Sequence, residues 1–429
     1  MTFYLVFQGL APSLWGPISD IQGRRVAYCI TFVVFIGACI GLSEATNYPL
    51  LVMFRCLQST GSASTIAIGS GVVGDITTRA ERGIYMAIFQ AGLLAPVAIG
   101  PVIGGALASI GWRSIFWFLT IYGGITLILL CLLLPETLRS IVANGSLTPR
   151  NRFTRYPLSL YQKRTKMRWT SLSDVTRKKH NIEILGPLQI LSSRHAAPII
   201  IFLSIHYAVW QMSITAMSTL FNERYGLSET KVGLTFIANG AGSIIGTLVA
   251  GKILDIDYRR SKATYETQAN SRDVELGHDE PIDQNFPLER ARLRLIPMLS
   301  FLQCASIILF GWVVHYDVHI AVPIMSTFVQ GWSIVSAQSI VMTYLVDIFP
   351  DRSAAASASL NLARCLFAAA GTSSVMPMIH GVGIGLTFTI CAIVQCMSFL
   401  GFAIQWKFGG RWRKAAEAKR KAKQDTAAQ

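Results

Sequence analysis

Charged residues recur with one spacing at two distant places in the chain. The ten residues GPISDIQGRR at 16–25 return as GKILDIDYRR at 251–260, with glycine, aspartate and an arginine pair at matching offsets. Both copies follow an apolar run, so we expect their charges to lie where a helix ends. A carboxylate there can cap the N-terminus of another helix, and an arginine can pair with a second acid. The chemistry is charge pairing rather than catalysis, and the repeat predicts two halves built on one plan.

Candidate acids for these arginines end two further apolar runs, at Asp75 and Asp347. Ordinary interfacial charges that terminate helices are the alternative, and for any single residue they are the simpler explanation. A doubled spacing with matching positions favours a built motif. The predicted charge clusters comprise Gly16, Asp20, Gly23, Arg24, Arg25, Asp75, Gly251, Asp255, Arg259 and Asp347.

Composition indicates that these helices lie in a membrane. Apolar residues form 52% of the 429, charged residues only 14%, and mean hydropathy is +0.45, so too little polar surface is available for a water-soluble protein. The opening run is short, and ten more have 18 or more residues, enough to cross about 30 Å of hydrocarbon. We predict an all-α integral membrane protein with eleven spans, at 1–15 and at about 26–43, 49–74, 84–109, 115–134, 198–220, 231–250, 295–314, 319–346, 354–377 and 382–406.

Several other classes of protein are disfavoured. The eight cysteines lie inside apolar runs without CxxC spacing or clustered histidines, so neither a disulfide framework nor a metal site is predicted. The N-terminus lacks the basic segment and cleavage site of a signal peptide. The net charge of +15 comes largely from one central loop and indicates topology and lipid attraction rather than nucleic-acid binding. We expect no enzymatic activity and no cofactor.

Basic residues also predict the orientation. If the loop with Arg24 and Arg25 is cytosolic, the loops on that side collect 33 of the 38 Lys and Arg residues, as the positive-inside rule requires. Both the central linker and the C-terminus then lie in the cytosol. The predicted domains are an N-terminal bundle (1–137), a cytosolic linker (138–197), a C-terminal bundle (198–406) and a basic cytosolic tail (407–429).

With Gly23, the first copy resembles G-x-x-x-D-x-x-G-R-R, the signature between helices two and three of the major facilitator superfamily. The second copy departs from it by having Asp257 and Tyr258 in the glycine region, as second-half copies in that family often do. The resemblance implies the major facilitator fold, two pseudo-symmetric helical bundles with twelve helices. Since only 15 residues precede the first copy, we expect the family's first helix to be missing.

A second resemblance covers residues 51–61 (LVMFRCLQSTG), which match the family's helix-four element R-x-x-Q-G except that Ser59 replaces the glycine. A charge at mid-span costs at least about 2.5 kcal/mol and must face protein or water. The family implies that Arg55 and Gln58 border the proton or substrate path, with a structural arginine bonded to backbone carbonyls as the alternative. Arg364 is a second arginine within a span and a weaker candidate for the same path.

The segment GLLAPVAIGPVIGG at 92–105 resembles the family's helix-five antiporter motif, and the Pro-Glu-Thr at 135–137 is also typical. Small residues recur every four positions and give a helix face that another helix can approach closely. Prolines there remove backbone donors and favour a bend. Simple tight packing is the alternative for the motif residues, which are Gly92, Pro96, Gly100, Pro101, Gly104 and Gly105.

Substrate contacts are expected from polar and aromatic residues near mid-depth. An amphiphilic, aromatic-rich cavity suits organic cations, drugs, polyamines or organic acids without choosing among them. No acid occupies the middle of a span, so the coupling group is expected in the missing helix, with His206 as a substitute. The cavity candidates are Gln8, Gln90, Tyr207, Gln211, Asn239, Gln330, Trp332 and Asn361.

Together with the antiporter motif, the segment DIFPDRSAAASASLNLAR makes the chain resemble the fungal drug:proton antiporters with twelve helices. The resemblance implies a monomeric plasma-membrane or vacuolar exporter of drugs, polyamines or small organic ions, driven by the proton gradient. We expect alternating access, with the paired charge clusters locking the cytosolic side. Its partners are then substrate, proton and lipid bilayer. An uptake facilitator for sugars or other nutrients, or a non-transporting truncated product, are the alternatives.

Overall fold

The computed structural model describes residues 2–76, 82–142, 186–276, 288–349 and 353–428, and these residues contain helices but no strand. The polar part of the predicted linker, 144–180, lies outside them. Eleven of the described helices have twenty residues or more, as the apolar runs predicted. The helices are α1 Thr2–Gln22, α2 Arg24–Ser43, α3 Tyr48–Ile76, α4 Arg82–Ala108, α5 Trp112–Leu133, α6 Arg139–Val142, α7 Gly186–Leu191, α8 Ala197–Tyr225, α9 Glu229–Leu276, α10 Leu288–Leu293, α11 Ile296–His315, α12 Ala321–Ile348, α13 Ser353–Val382 and α14 Ile384–Ala428.

Seven of the described helices are long and apolar enough to cross a membrane, namely α2, α5, α8, α9, α11, α13 and α14. Helix α12 is not among them because it carries Ser326, Gln330, Ser333 and Ser336, all of which are buried. Its polar side chains point into protein, where helices in a membrane place them. By contrast, Phe301 of α11 is 76% exposed, as expected for a lipid-facing side chain.

The helix ends differ from the prediction at both copies of the charge motif. Helix α1 continues to Gln22 and is broken only at Gly23, which has φ +105°. In the second copy the helix is not broken, and α9 runs through 251–260 to Leu276, so the expectation that a helix ends at these charges was wrong. The physical reason is that Asp257 and Tyr258 replace the glycine region that permits the break.

The chain divides into two compact units, the first comprising Met1–Pro96, Gly100–Pro187 and Ser228–Leu234. In this unit α3 packs on α1 and α2, and α2 packs on α5. Ala27, Tyr28 and Ile68 form a buried cluster, against which Leu130 and Leu134 pack. The core therefore fixes α2, α3 and the C-terminal part of α5 against each other.

The second unit comprises Val97–Ile99, Leu188–Leu227 and Thr235–Gln429. Helix α8 is its central element and contacts α11, α12, α13 and α14. Between α8, α11 and α14, Phe310 stacks edge-on against Phe388 at 5.1 Å and lies 6.3 Å from Phe221. Such aromatic pairs bury large apolar areas with defined geometry.

Glycines allow α9 and α12 to approach each other closely. A Cβ on Gly242 would collide with the backbone carbonyl of Phe328, and one on Gly246 would lie 2.8 Å from the Cα of Trp332. Small residues at such crossings are the usual basis of helix packing in membranes.

Gly242→Ala should therefore lower the stability of the protein by about 1–3 kcal/mol, because the added methyl group overpacks the helix crossing. The matched control is Gly251→Ala on the same helix, where a Cβ would meet no described atom within 4 Å. That change should be neutral or stabilising, since alanine favours helix. Thermal unfolding of the purified variants measures both effects, and equal melting temperatures would contradict the close approach.

Candidate functional site

Arg24, the first residue of α2, joins the ends of three helices in the first unit. Its Nε donates to Asp75 Oδ2 on α3 at 2.9 Å, and its Nη1 donates to Ser19 Oγ on α1 at 2.6 Å. The guanidinium lies against Gly71, where a Cβ would come within 2.6 Å of Cζ. The structure thus places together Arg24 and Asp75, the pair suggested by the sequence. The repeat did not single out Ser19 or Gly71, although Gly71 precedes Asp75 by one helical turn.

Helices α2 and α5 cap each other. The backbone N–H groups of Arg24 and Arg25 donate to the two carboxylate oxygens of Glu136, at 2.8 and 3.3 Å. In return, Arg25 Nη2 donates to the carbonyl of Cys131 in the last turn of α5 at 2.7 Å. An acid at a helix N-terminus and a base at a C-terminus are both favoured by the helix dipoles. Glu136 is the glutamate of the Pro-Glu-Thr at 135–137, whose capping role the sequence did not reveal.

Gly23 is required at the break between α1 and α2 for two reasons. Its φ of +105° disfavours residues with a side chain. A Cβ there would also lie 2.5 Å from Glu136 Oε2. The glycine therefore leaves room for the carboxylate that caps α2.

In the second unit, Asp347 at the end of α12 pairs with Arg292, whose Nε donates to Oδ2 at 2.8 Å. The sequence proposed Arg259 for this role. The side chains of Asp20, Asp255 and Arg259 lie outside the described residues. Because α9 continues to Leu276, the arginine that pairs with Asp347 comes from the short helix α10, which lies before the next span.

The same short helix forms a second ion pair, which the sequence did not predict. Glu289 Oε1 accepts from Arg413 Nε on α14 at 3.2 Å and is approached by the Tyr344 hydroxyl at 3.5 Å. Glu289 and Arg413 are both buried. If the motif copies align α1 with α9, then α2, α3 and α5 correspond to α11, α12 and α14. A tie to the last helix is thus present in both units, but the first unit forms it with backbone groups and the second with an ion pair.

Arg55 is held within the first unit by an amide and an aromatic ring. Its Nη1 donates to Gln58 Oε1 at 3.0 Å, and its guanidinium carbon lies 4.7 Å from the centre of the Phe116 ring. Gln58 is buried and donates to Cys39 Sγ. The cation–π contact and the amide offset part of the cost of a charge at this depth.

Arg364 has the same kind of environment in the second unit. Its Nε and Nη2 donate to Asn361 Oδ1 at 3.1 and 2.7 Å, and its guanidinium carbon lies 5.0 Å from the Tyr207 ring centre. Gln211 Nε2 donates to the Tyr207 hydroxyl at 3.4 Å. Four predicted candidates, Arg364, Asn361, Tyr207 and Gln211, therefore form one cluster.

The other cavity candidates have different environments. Gln330 is fully buried and bonds to Ser213 and Ser326, so it links α8 and α12. Asn239 is buried, and its Oδ1 has no hydrogen-bond partner among the described residues. Trp332 packs against Phe328, and Gln8 is half-buried on α1. The side chain of Gln90 lies outside the described residues.

His206, the proposed substitute for a coupling acid, is 2% exposed. Its ring nitrogens contact the Phe202 carbonyl at 3.1 Å and Ser300 Oγ at 2.8 Å. This environment is that of a packed polar residue with its hydrogen bonds already made.

In the antiporter motif, Pro101 and Gly105 are the residues that lie close to α9. A Cβ on Gly105 would lie 2.7 Å from the carbonyl oxygen of Glu229, and Thr230 Oγ1 is 3.4 Å from the carbonyl of Gly105. These partners belong to the first turn of α9, which is part of the first unit. A Cβ on Gly92, Gly100 or Gly104 would meet no described atom within 4 Å.

Comparison with known proteins adds an independent finding. The sequence matches the profile of the Major Facilitator Superfamily over residues 1–372. It is 37% identical to the MFS antiporter QDR2 of Candida albicans, over 91% of this chain and 76% of that protein. It is 35% identical to Citrate exporter 1 of Aspergillus niger, over 99% of this chain and 80% of that protein.

Two solved structures have a similar fold at low sequence identity. The xylose transporter XylE from E. coli superimposes with a TM-score of 0.59 at 16% identity and covers 95% of this chain and 85% of its own. The human organic anion transporter MFSD10 gives a TM-score of 0.57 at 15% identity, with 93% and 82% covered.

Glu136→Gln should destabilise the first unit by about 1–2 kcal/mol, because it removes the charge and one of two acceptors at the N-terminus of α2. Glu44→Gln is the matched control, since Glu44 is exposed at the other end of the same helix. Thermal unfolding compares the variants. A control that loses as much stability as Glu136→Gln would contradict the capping role.

A double-mutant cycle should identify the partner of Asp347. Arg292→Gln and Asp347→Asn are expected to couple by about 1 kcal/mol in unfolding free energy, whereas Arg259→Gln and Asp347→Asn should be additive. Stronger coupling of Asp347 to Arg259 than to Arg292 would support the pairing proposed from the sequence and contradict the one in the structure.

Proposed function

Because the chain belongs to the major facilitator superfamily and is therefore a multi-pass membrane transporter, we propose that it is a secondary active exporter of small organic ions. Export in exchange for protons, by alternating access, is the mechanism we favour. The drug and polyamine exporters implied by the sequence belong to the same class. Among these substrates we favour organic anions, and the environments of Arg55 and Arg364 carry this choice.

Within the described spans, the fixed charges at mid-depth are positive. Asp75 and Asp347 lie in the last turn of their helices, whereas Arg55 and Arg364 lie well inside theirs. Neither of these arginines forms an ion pair with a described acid. Each is instead held by a neutral amide and an aromatic ring. A guanidinium in such a setting keeps its charge and retains N–H groups that can bind a carboxylate.

Citrate Exporter 1, the relative at 35% identity, is named for a polyanion, which supports this choice. The relative QDR2 is named an antiporter, which supports coupling to a proton gradient. Organic cations are the second candidate, favoured by the aromatic faces of Phe116 and Tyr207. We further propose a monomer in the plasma membrane, with the linker and C-terminus cytosolic.

The charge clusters then have a mechanical role. Arg24 with Asp75, and Arg292 with Asp347, each join helices of one unit. We propose that they keep the helix ends of each unit together while the transporter changes conformation. A locking role for Asp20 and Asp255, expected from the sequence, is a further proposal.

Arg364→Gln should lower the transport of radiolabelled citrate into proteoliposomes with a proton gradient by at least about tenfold, because it removes one charge-assisted contact to the substrate. Arg55→Gln should act similarly. The matched control is Arg224→Gln, an exposed arginine paired with Asp317, which should transport as the parent protein does.

The same vesicles distinguish the candidates. Transport of a cationic dye without citrate transport would show that the anion assignment is wrong. Transport that continues after collapse of the pH gradient would show that export is not coupled to protons.

A further inference from the structure

A groove on the surface of the second unit combines aromatic walls with two basic side chains. Its volume is ≈ 490 Å³, within the range of small-molecule sites. We call it the Arg290 groove. It is lined by Arg290, Pro297, Phe399, Phe402, Ala403, Trp406 and Lys407.

The aromatic wall is a row of successive rings along α14 that packs against a neighbouring helix. The rings of Phe399 and Phe402 are 5.0 Å apart, and those of Phe402 and Trp406 are 5.7 Å apart. Phe402 is buried and also packs on Phe202 of α8 at 5.7 Å. The wall is therefore a built surface rather than a row of loose side chains.

The two cations differ from Glu289 and Arg292, the neighbouring charges on α10. Glu289 and Arg292 flank Arg290 on α10, and both are engaged in ion pairs. Arg290 and Lys407 are exposed and have no acid partner among the described residues. Lys407 Nζ lies 5.8 Å from the Phe408 ring. The groove thus presents two uncompensated positive charges.

The position of the groove indicates which ligand has access to it. Leu400 of α14 and Phe301 of α11 are 67% and 76% exposed, as lipid-facing side chains would be. Beyond Lys407, α14 carries Arg411 and Arg413 and becomes basic. The groove therefore lies where the apolar surface of α11 and α14 meets the charged helix ends. Trp406 is typical of this interfacial level.

We propose that the Arg290 groove binds one anionic phospholipid. The guanidinium of Arg290 and the ammonium of Lys407 bind its phosphate and acidic headgroup, and an acyl chain lies along Phe399 and Phe402. A zwitterionic headgroup is disfavoured because its own cation meets two positive charges. The ligand stabilises α10, the short helix that ties α12 to α14.

Native mass spectrometry of the purified full-length chain in detergent, titrated with phosphatidylserine, tests the proposal. The double variant Arg290→Gln, Lys407→Gln should bind this lipid about 25-fold more weakly, at about fivefold for each charge removed. The control is Lys252→Gln, Arg260→Gln, which removes two exposed basic residues outside the groove. It should bind as the parent protein does, and equal weakening in both variants would overturn the site.

A third variant keeps both charges but fills the groove. Ala403→Trp should also weaken phosphatidylserine binding, and unchanged binding would show that the acyl chain does not lie there. Phosphatidylcholine and inorganic phosphate serve as alternative ligands with the parent protein. If either raises the melting temperature as much as phosphatidylserine does, the assignment to an anionic lipid is wrong. Melting temperatures without lipid show that each variant is folded.

Discussion

The reciprocal capping of α2 and α5 is the constraint on which the first unit depends. A helix that ends at a membrane boundary leaves four N–H or four C=O groups without partners. Glu136 supplies acceptors for the start of α2, and Arg25 supplies a donor for the end of α5. The same short segment also carries Arg24, which binds Asp75 and Ser19. Four helix ends are therefore held by the residues that follow one glycine.

The second unit satisfies the same requirement with different residues. A short helix, α10, replaces the tight turn, and its Glu289 and Arg292 tie α14 and α12. The pairs Arg24–Asp75 and Arg292–Asp347 are both formed by an arginine and an aspartate. At the other tie, Glu136 and Arg25 bind backbone groups in the first unit, whereas the second unit uses an ion pair. What the two halves share is thus the position of the ties rather than the residues that form them. Arg55 and Arg364 likewise have equivalent surroundings made from different residues. Each is held by one amide side chain and one aromatic ring, and these are glutamine and phenylalanine in the first unit but asparagine and tyrosine in the second.

The sequence predicted the long helices well because the thickness of the bilayer sets their length and the apolar runs show it directly. It also indicated the Arg24–Asp75 pair, whose members lie at the ends of adjacent spans. It did not indicate the role of Glu136, because a cap depends on the approach of two helix ends that are distant in sequence. Arg292 was missed for another reason: the segment between the second motif copy and the next span is longer than in the first half, and the pairing arginine lies at its far end. Helix ends were placed too early because polar residues at 252–276 can continue a helix in water.

Helix α9 has a geometric consequence of its own. Its 48 residues span about 72 Å, and the hydrocarbon of a bilayer accommodates only about 30 Å of that length. The rest of the helix extends beyond the hydrocarbon. A tilt of about 10° around the end at Glu229 would displace Leu276 by about 12 Å, so a small rotation within the bilayer becomes a large displacement at the far end. A spin label or fluorophore there would convert a subtle rearrangement of the spans into a readily measured distance.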